Sequence, residues 1–334
     1  MRTGDDTAAP KLETFSYPLG AAVQEELIGF LRTEWQGTDY DWVEAMSGNY
    51  GTELTIVSVI ARQGGEVVAT ATVHFTRACP EVAILGNVLT HRAHRGRGLA
   101  GQVVEAALAQ ATAAGCAICL LGTATKPRNV YLQHGFEWQN GVVMNRKFGV
   151  PDFEQAYFSA GQPASIRAVT WGDLPGFTLL VTQPLASVCL DYPRRLISGR
   201  YTTLARCLSN FPVVWYDTAA RGGQLLIVAE PKCGRIFGFG SVTRTSSVDR
   251  GNEATIEVVT HDNYTSSLQP LAERLVVCAH GAGVTQVSAF ASVDDAQKLA
   301  CFREMGFEER GKIANALKTS GASSDVLEFV KTIG

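Results

Sequence analysis

A mixed α/β fold, built as two similar domains in tandem, is what the sequence predicts. Apolar runs of strand length alternate with Ala- and Leu-rich helical stretches. The order of these elements in the first half recurs in the second. The 334 residues exceed the roughly 100–200 of a single domain and suit two. With 46% hydrophobic and 18% charged residues, the chain has enough apolar material for full cores and is too apolar for disorder.

The N-terminal residues MRTGDDTAAPKLE are polar, lack the apolar run of a secretory signal and read as a frayed leader, which points to a cytoplasmic protein. Residues 55–76 hold two β-rich runs around Gly64-Gly65, a hairpin. A buried central strand is expected at 81–91. A Gly-rich turn follows it, and an Ala-rich helix at 102–115 closes on Gly115. Further elements are a strand at 116–122, a short helix within 126–139 ending at Gly135, and a closing strand. Residues 149–163 carry no period and contain two prolines and two glycines, so they read as a linker between domains at 1–148 and 164–334.

The second half repeats this order. Val88-Leu89-Thr90-His91 and Val258-Val259-Thr260-His261 lie 170 positions apart, and Gly135-Phe136-Glu137 and Gly306-Phe307-Glu308 lie 171 apart. Nearly one offset for two landmarks, with five elements in shared order, points to duplication of a unit of about 150 residues.

Lys and Arg total 29 against 32 Asp and Glu, a formal charge of −3, so no global basic field favours nucleic acid as a partner. No apolar run approaches the ~20 residues that span a bilayer, and no membrane association is expected. The eight cysteines are scattered and read as reduced, mostly buried thiols. Cys116-Ala117-Ile118-Cys119 has metal-like spacing, but it sits in an apolar strand without a second pair or clustered His, so no metal is expected.

The turn Arg95-Gly96-Arg97-Gly98-Leu99-Ala100 joins a strand to a helix. Glycines there let several N–H groups converge at the positive end of the helix dipole, a site for phosphate that Arg95 and Arg97 would reinforce and Arg92 and His94 enlarge. No Gly-Lys-Ser/Thr triplet makes it a Walker loop. Gly96 to Gly101 has dinucleotide-fingerprint spacing. However, a hairpin precedes it and no acid ends the next strand, so an NAD(P)-binding oxidoreductase is an alternative.

The chain resembles the GCN5-related N-acetyltransferase superfamily. Arg95, Gly98 and Ala100 occupy the fixed positions of its Arg/Gln-x-x-Gly-x-Gly/Ala motif, with Arg92 where a Pro is common. Tyr131-Leu132-Gln133-His134-Gly135-Phe136 matches its Tyr-x-x-x-Gly-Phe landmark. The likeness covers about residues 50–147, and the second half only in outline. It implies tandem domains, each a mostly antiparallel, splayed sheet flanked by helices. It also implies acetyl-CoA as acyl donor, its pyrophosphate on Arg95, Gly96, Arg97, Gly98, Leu99 and Ala100 and its pantetheine arm along Val88, Leu89 and Thr90. The N–H of Leu89 or Thr90 would stabilise the oxyanion, and Tyr131 would protonate the departing thiolate. A core or surface tyrosine on the helix is the alternative, disfavoured by the Gly-Phe beside it. His91, His74 and Glu44 are candidate bases, His91 best placed, although its counterpart His261 also suggests a structural role.

Trp35, Asp39, Tyr40, Asp41, Trp42 and Glu44 could wall a cationic amine or form a solvated loop around buried Trp. Arg194, Arg195 and Arg200, near Asp191, read as a solvated basic face, with an anionic group on the acceptor as the alternative. In the second half, Thr265-Ser266-Ser267-Leu268-Gln269-Pro270 replaces the glycine turn and Phe302 stands at the tyrosine position, so that domain is expected to lack the cofactor site. The implied activity is direct acetyl transfer to a small-molecule amine or hydroxylamine, as in antibiotic, phosphonate or thiol biosynthesis. A non-catalytic acyl-CoA sensor or scaffold is the other alternative.

Overall fold

A computed structural model describes residues 9–35, 39–123, 128–140, 143–187, 191–194, 196–197, 210–245, 252–319 and 322–334. The chain forms two compact units. The first is built from Met1–Phe153 with Thr170–Pro175, the second from Glu154–Val169 and almost everything from Gly176 on.

The first unit holds strands β1 (Lys11–Ser16), β2 (Leu54–Gln63), β3 (Glu66–Thr76), β4 (Val82–Thr90), β5 (Ile118–Gly122), β6 (Glu137–Asn140) and β7 (Val143–Lys147). They form one sheet in the order β1-β2-β3-β4-β5-β7-β6. Only β4 and β5 run parallel, paired over Val82–Ile84 with 118–120. Helices α1 (Ala21–Arg32), α2 (Asp39–Met46), α3 (Leu99–Ala113) and α4 (Arg128–Leu132) accompany the sheet. Val103, Val104, Ala107, Leu108 and Ala111 recur at helical spacing on α3 and are buried with Ala69, Ala71, Val73 and Phe75 of β3. Leu27, Ile28 and Leu31 of α1 form a second core with Ile60 and Leu89. Part of the stretch expected as a frayed leader is ordered: Lys11–Ser16 pairs antiparallel with β2.

The stretch 149–163 carries a short helix, α5 (Phe153–Tyr157), and the Tyr157 hydroxyl accepts the Ile236 N–H at 2.8 Å. The second unit continues with β8 (Ser165–Ala168), α6 (Leu174–Thr182), α7 (Asn210–Ala220), β9 (Gln224–Ala229), β10 (Ile236–Arg244), β11 (Glu253–Thr260), α8 (Leu268–Gly281), β12 (Gln286–Ser292), α9 (Ala296–Glu304), β13 (Glu308–Thr319) and β14 (Ala322–Thr332). Its sheet order is β8-β9-β10-β11-β12-β14-β13, the first sheet's order element for element.

The likeness of the two units extends to single hydrogen bonds. His91 N–H donates to Val68 O at 2.9 Å, and His261 N–H to Phe237 O at 2.8 Å. The copies differ on the central strand. In β4, Thr70 faces Leu89 and Thr72 faces Gly86, so Asn87 and Val88 together oppose one residue of β3. This is a β-bulge, with Asn87 left-handed at φ 49. The β10–β11 ladder runs without a break from Gly238 opposite Thr260 to Arg244 opposite Ala254. By these registers Ser241, Thr243 and Glu257 stand where the first unit has Thr72, His74 and Gly86.

Candidate active site

The phosphate-type turn adopts the backbone its glycines permit. Gly96 and Gly98 are left-handed at φ 78 and 77, with open space where a Cβ would stand. Gly98 is the N-cap of α3, and no side chain caps the helix there. The first-turn N–H groups therefore face outward uncapped, the arrangement that binds an anion. Leu99 turns inward as a core residue, 3% exposed. Of the motif's glycines, Gly101 serves packing: a Cβ there would lie 3.3 Å from both Gln133 Nε2 and His134 Nε2.

The arginines divide. Arg92 Nε and Arg95 Nη2 both donate to Glu34 Oε1 at 2.7 Å, and Arg95 Nε donates to Thr90 O at 3.1 Å. The Arg92 hydrogen bond foremost holds the Glu34 carboxyl below its usual range. Arg95, expected as a phosphate ligand, is thus engaged in tying the turn to Glu34 and β4. Sequence reasoning missed Glu34, which lies 58 positions from Arg92 with no local signal. Arg97 is exposed and makes no ion pair or hydrogen bond among the described residues, which leaves its guanidinium for an anion. His94 Nδ1 lies 3.2 Å from Gln63 Oε1.

Beside this turn β4 and β5 part after three paired residues, leaving the end of β4 without a neighbour on that side. The register decides which main-chain groups face the opening. Val68 and His91 form a hydrogen-bonded pair, so Thr70 and Leu89 form the next one by antiparallel alternation. Leu89 N–H is therefore directed at β3, which corrects its expected role as oxyanion donor. Thr90, and Val88 by the same alternation, direct their N–H and C=O groups away from β3.

Tyr131 is 7% exposed and belongs to the α3 core, edge-on to Phe136 with centroids 6.0 Å apart. The Gly-Phe after it has a structural cause. Gly135 takes φ 75, Gly135 N–H bonds Leu132 O at 3.0 Å, and Phe136 N–H bonds Tyr131 O at 3.2 Å: a Schellman cap on α4. The second unit repeats it, with Gly306 at φ 76 and Phe307 N–H on Phe302 O at 2.9 Å. The landmark survives where the tyrosine is absent, so Gly-Phe marks a helix end and gives no support to an acid at Tyr131.

The candidate bases fare similarly. His91 Nδ1 accepts from Ala93 N–H at 3.3 Å, capping the 3₁₀ turn Arg92–His94, and His261 Nδ1 accepts from Asn263 N–H at 3.2 Å. His91 is a turn cap, as its counterpart suggested. Glu44 Oε2 accepts from Asn49 Nδ2 at 2.6 Å. His74 lies against Gly86, its Nδ1 is buried without a partner, and burial pushes its pKa down to about 4. Trp35 packs half-buried on the α1 core. The side chains at 39–42, and the candidates Arg195 and Arg200, lie outside the described residues. Arg194 is no solvated face residue: its side chain is 8% exposed and bonded to Asp191 at 2.7 Å.

Cys116 and Cys119 are buried free thiols. Burial pushes Cys116 up to about 12 and Cys119 higher still, so neither offers a thiolate. Burial is not general among the cysteines, because Cys233 is exposed. Among the described residues no three His, Cys, Asp or Glu converge to hold a metal ion, and no helix is long and apolar enough to cross a membrane.

Comparison with solved structures returns acetyltransferases. Ribosomal-protein-alanine N-acetyltransferase from Brucella melitensis is 20% identical, with 51% of this chain and 99% of that one covered at a TM-score of 0.42. An N-acetyltransferase from Staphylococcus aureus Mu50 is 15% identical, covering 51% and 98% at 0.41. A GNAT superfamily phosphinothricin acetyltransferase from Sinorhizobium meliloti, in complex with AcCoA, is 14% identical, covering 51% and 89% at 0.41. No curated protein matches the chain. The model of the acetyltransferase (GNAT) family matches residues 20–136, spanning α1, the hairpin, the glycine turn and the α4 cap. Residues 20–136, within the first unit, thus match the acetyltransferase (GNAT) family model, and a second sheet of the same strand order follows.

Proposed function

We propose that the first unit is an acetyl-CoA-dependent N-acetyltransferase acting by direct transfer on a small-molecule amine, and that the second unit binds no acyl-CoA. The observation that carries this reading is the uncapped N-terminus of α3, entered through Gly96 and Gly98, beside the edge where β4 leaves β5. Acetyl-CoA, when bound, supplies the activated acetyl group. The first-turn amides of α3 and Arg97 would hold its pyrophosphate. Val88 and Thr90 would hydrogen-bond the pantetheine arm from the exposed side of β4, and an N–H on that side would meet the developing oxyanion. Glu34 would keep Arg92 and Arg95 in place and thereby fix the turn. No cysteine of the described site is available for a covalent relay.

In the second unit α8 likewise has no side-chain cap and β11 leaves β12 after four paired residues, but the glycine entry is missing. The turn Asp262–Ser267 enters α8 without a glycine and is closed by Tyr264, which is 4% exposed and stacks on Phe237 at 3.9 Å. β11 lacks the bulge, and Glu257 fills the place of Gly86.

Calorimetric titration with acetyl-CoA tests both parts. One molecule per chain is expected, with at least fivefold weaker binding in Arg97→Ala; two per chain would remove the asymmetry. A sensor or scaffold draws support from the burial of Tyr131 in the core. Thiol release from acetyl-CoA with a panel of amines separates the readings, since a sensor binds and releases none.

A further inference from the structure

The second unit has a cavity of its own. It measures about 330 Å³ and lies on the sheet face formed by Ser241, Thr243 and Glu257. Phe239, two residues earlier on that face of β10, meets Phe177 of α6 at 4.7 Å, so this is the side that α6 and α7 cover. The volume suits a small metabolite-sized ligand.

Its charges are unevenly satisfied. Asp191 accepts from Arg194 Nε at 2.7 Å and from Leu196 N–H at 3.2 Å. Arg194 reaches Asp217, Thr218 and Ser241 with its terminal nitrogens, at 3.1, 2.9 and 2.9 Å. Glu257 bonds Lys298 Nζ at 2.5 Å, both side chains nearly inaccessible. Every carboxylate on the wall therefore has a cation. Arg221 is the exception among the cations: Nε bonds Asp217 at 2.9 Å, while Nη1 and Nη2 bond nothing among the described residues. The hydroxyls of Thr243, Thr245 and Thr255 line the same space and likewise bond nothing described. Asp191, which with Arg194 orders one wall, is held left-handed at φ 51, a backbone state that clusters at binding sites.

A planar guanidinium fork with two nitrogens unbonded among the described residues, lining one cavity with threonines, is a receptor for an oxyanion. We propose that this cavity is a binding site for a small molecule bearing a carboxylate or phosphate group, gripped by Arg221 and the threonine hydroxyls. It is separate from the glycine turn of the first unit and independent of the activity proposed there. Glu257, which bonds Lys298, stands on this face where the first unit has Gly86.

Calorimetric titration of the full chain with inorganic phosphate in one arm and malonate in the other tests this. The Arg97→Ala background separates the site from the α3 turn. Binding of at least one of the two anions is expected to persist in Arg97→Ala, and to weaken at least tenfold when Arg221→Met is added. The arm that binds tells phosphate from carboxylate. Thr255→Val, which leaves every ion pair intact, is expected to weaken it about threefold, a readout that survives if Arg221→Met fails to fold. Absence of binding by both anions in Arg97→Ala, or binding unchanged in the Arg221 and Thr255 variants, would overturn the proposal.

Discussion

His91 and His261 each turn Nδ1 toward the N–H two residues ahead, and each sits at the end of a central strand. Removing the His91 cap is expected to cost about 1 kcal/mol of stability, as for other caps. His91→Ala should therefore shift a urea melt while leaving kcat within about threefold. A large kcat loss at unchanged stability would return His91 to the chemistry. His74 makes the opposite kind of prediction. Its folded pKa of about 4 lies below the unfolded value near 6.5, so between these pH values the unfolded chain binds more protons. Stability should accordingly be full above about pH 6.5 and fall as pH drops toward 4, by up to roughly 3 kcal/mol. Urea melts at pH 7 and pH 5 measure this, and His74→Gln should flatten the difference. Tyr131→Phe keeps the ring in the core, so stability should change by less than about 1 kcal/mol, while an acid role predicts a kcat loss of ~10²-fold or more.

At the scale of elements, the two Schellman caps give a matched pair. Gly135→Ala and Gly306→Ala each force a Cβ into the left-handed region, at about 1–2 kcal/mol. Comparable melting shifts are expected, with acetyl-CoA turnover altered by the first alone. The bulge in β4 places one extra residue, at Asn87-Val88, opposite β3. It could not be read from Gly86-Asn87-Val88, because the strand's apolar run looks continuous and nothing local announces an extra residue. Fold elements were legible where periodicity or punctuation was strong, as in the Gly64-Gly65 hairpin and the α3 face. They were missed where a polar strand is held by distant partners, as with β1, which pairs with β2 and packs Phe15 on the α1 core.

For the whole molecule, equal sheet orders mean two units that fold by the same rules, while the glycine turn and the bulge are present in the first unit and absent from the described second one. One acetyl-CoA per chain is the expected stoichiometry. Composition, alternation of strand and helix patterns, the repeated landmarks and the glycine turn determined the tandem α/β architecture and the left-handed entry into α3 at residues 95–100, because these depend on local backbone preference and hydrophobic period. Tertiary structure alone decided how the candidate residues are placed and partnered. Glu34 meets Arg92 and Arg95 across 58 and 61 positions, pairing with Thr70 of β3 turns Leu89 N–H away from the opening, and Gly-Phe proves to be a helix cap in both units. The Arg221 cavity is of the same kind, since it unites residues from α7, β10 and β11 whose hydrogen-bond status only the fold can set.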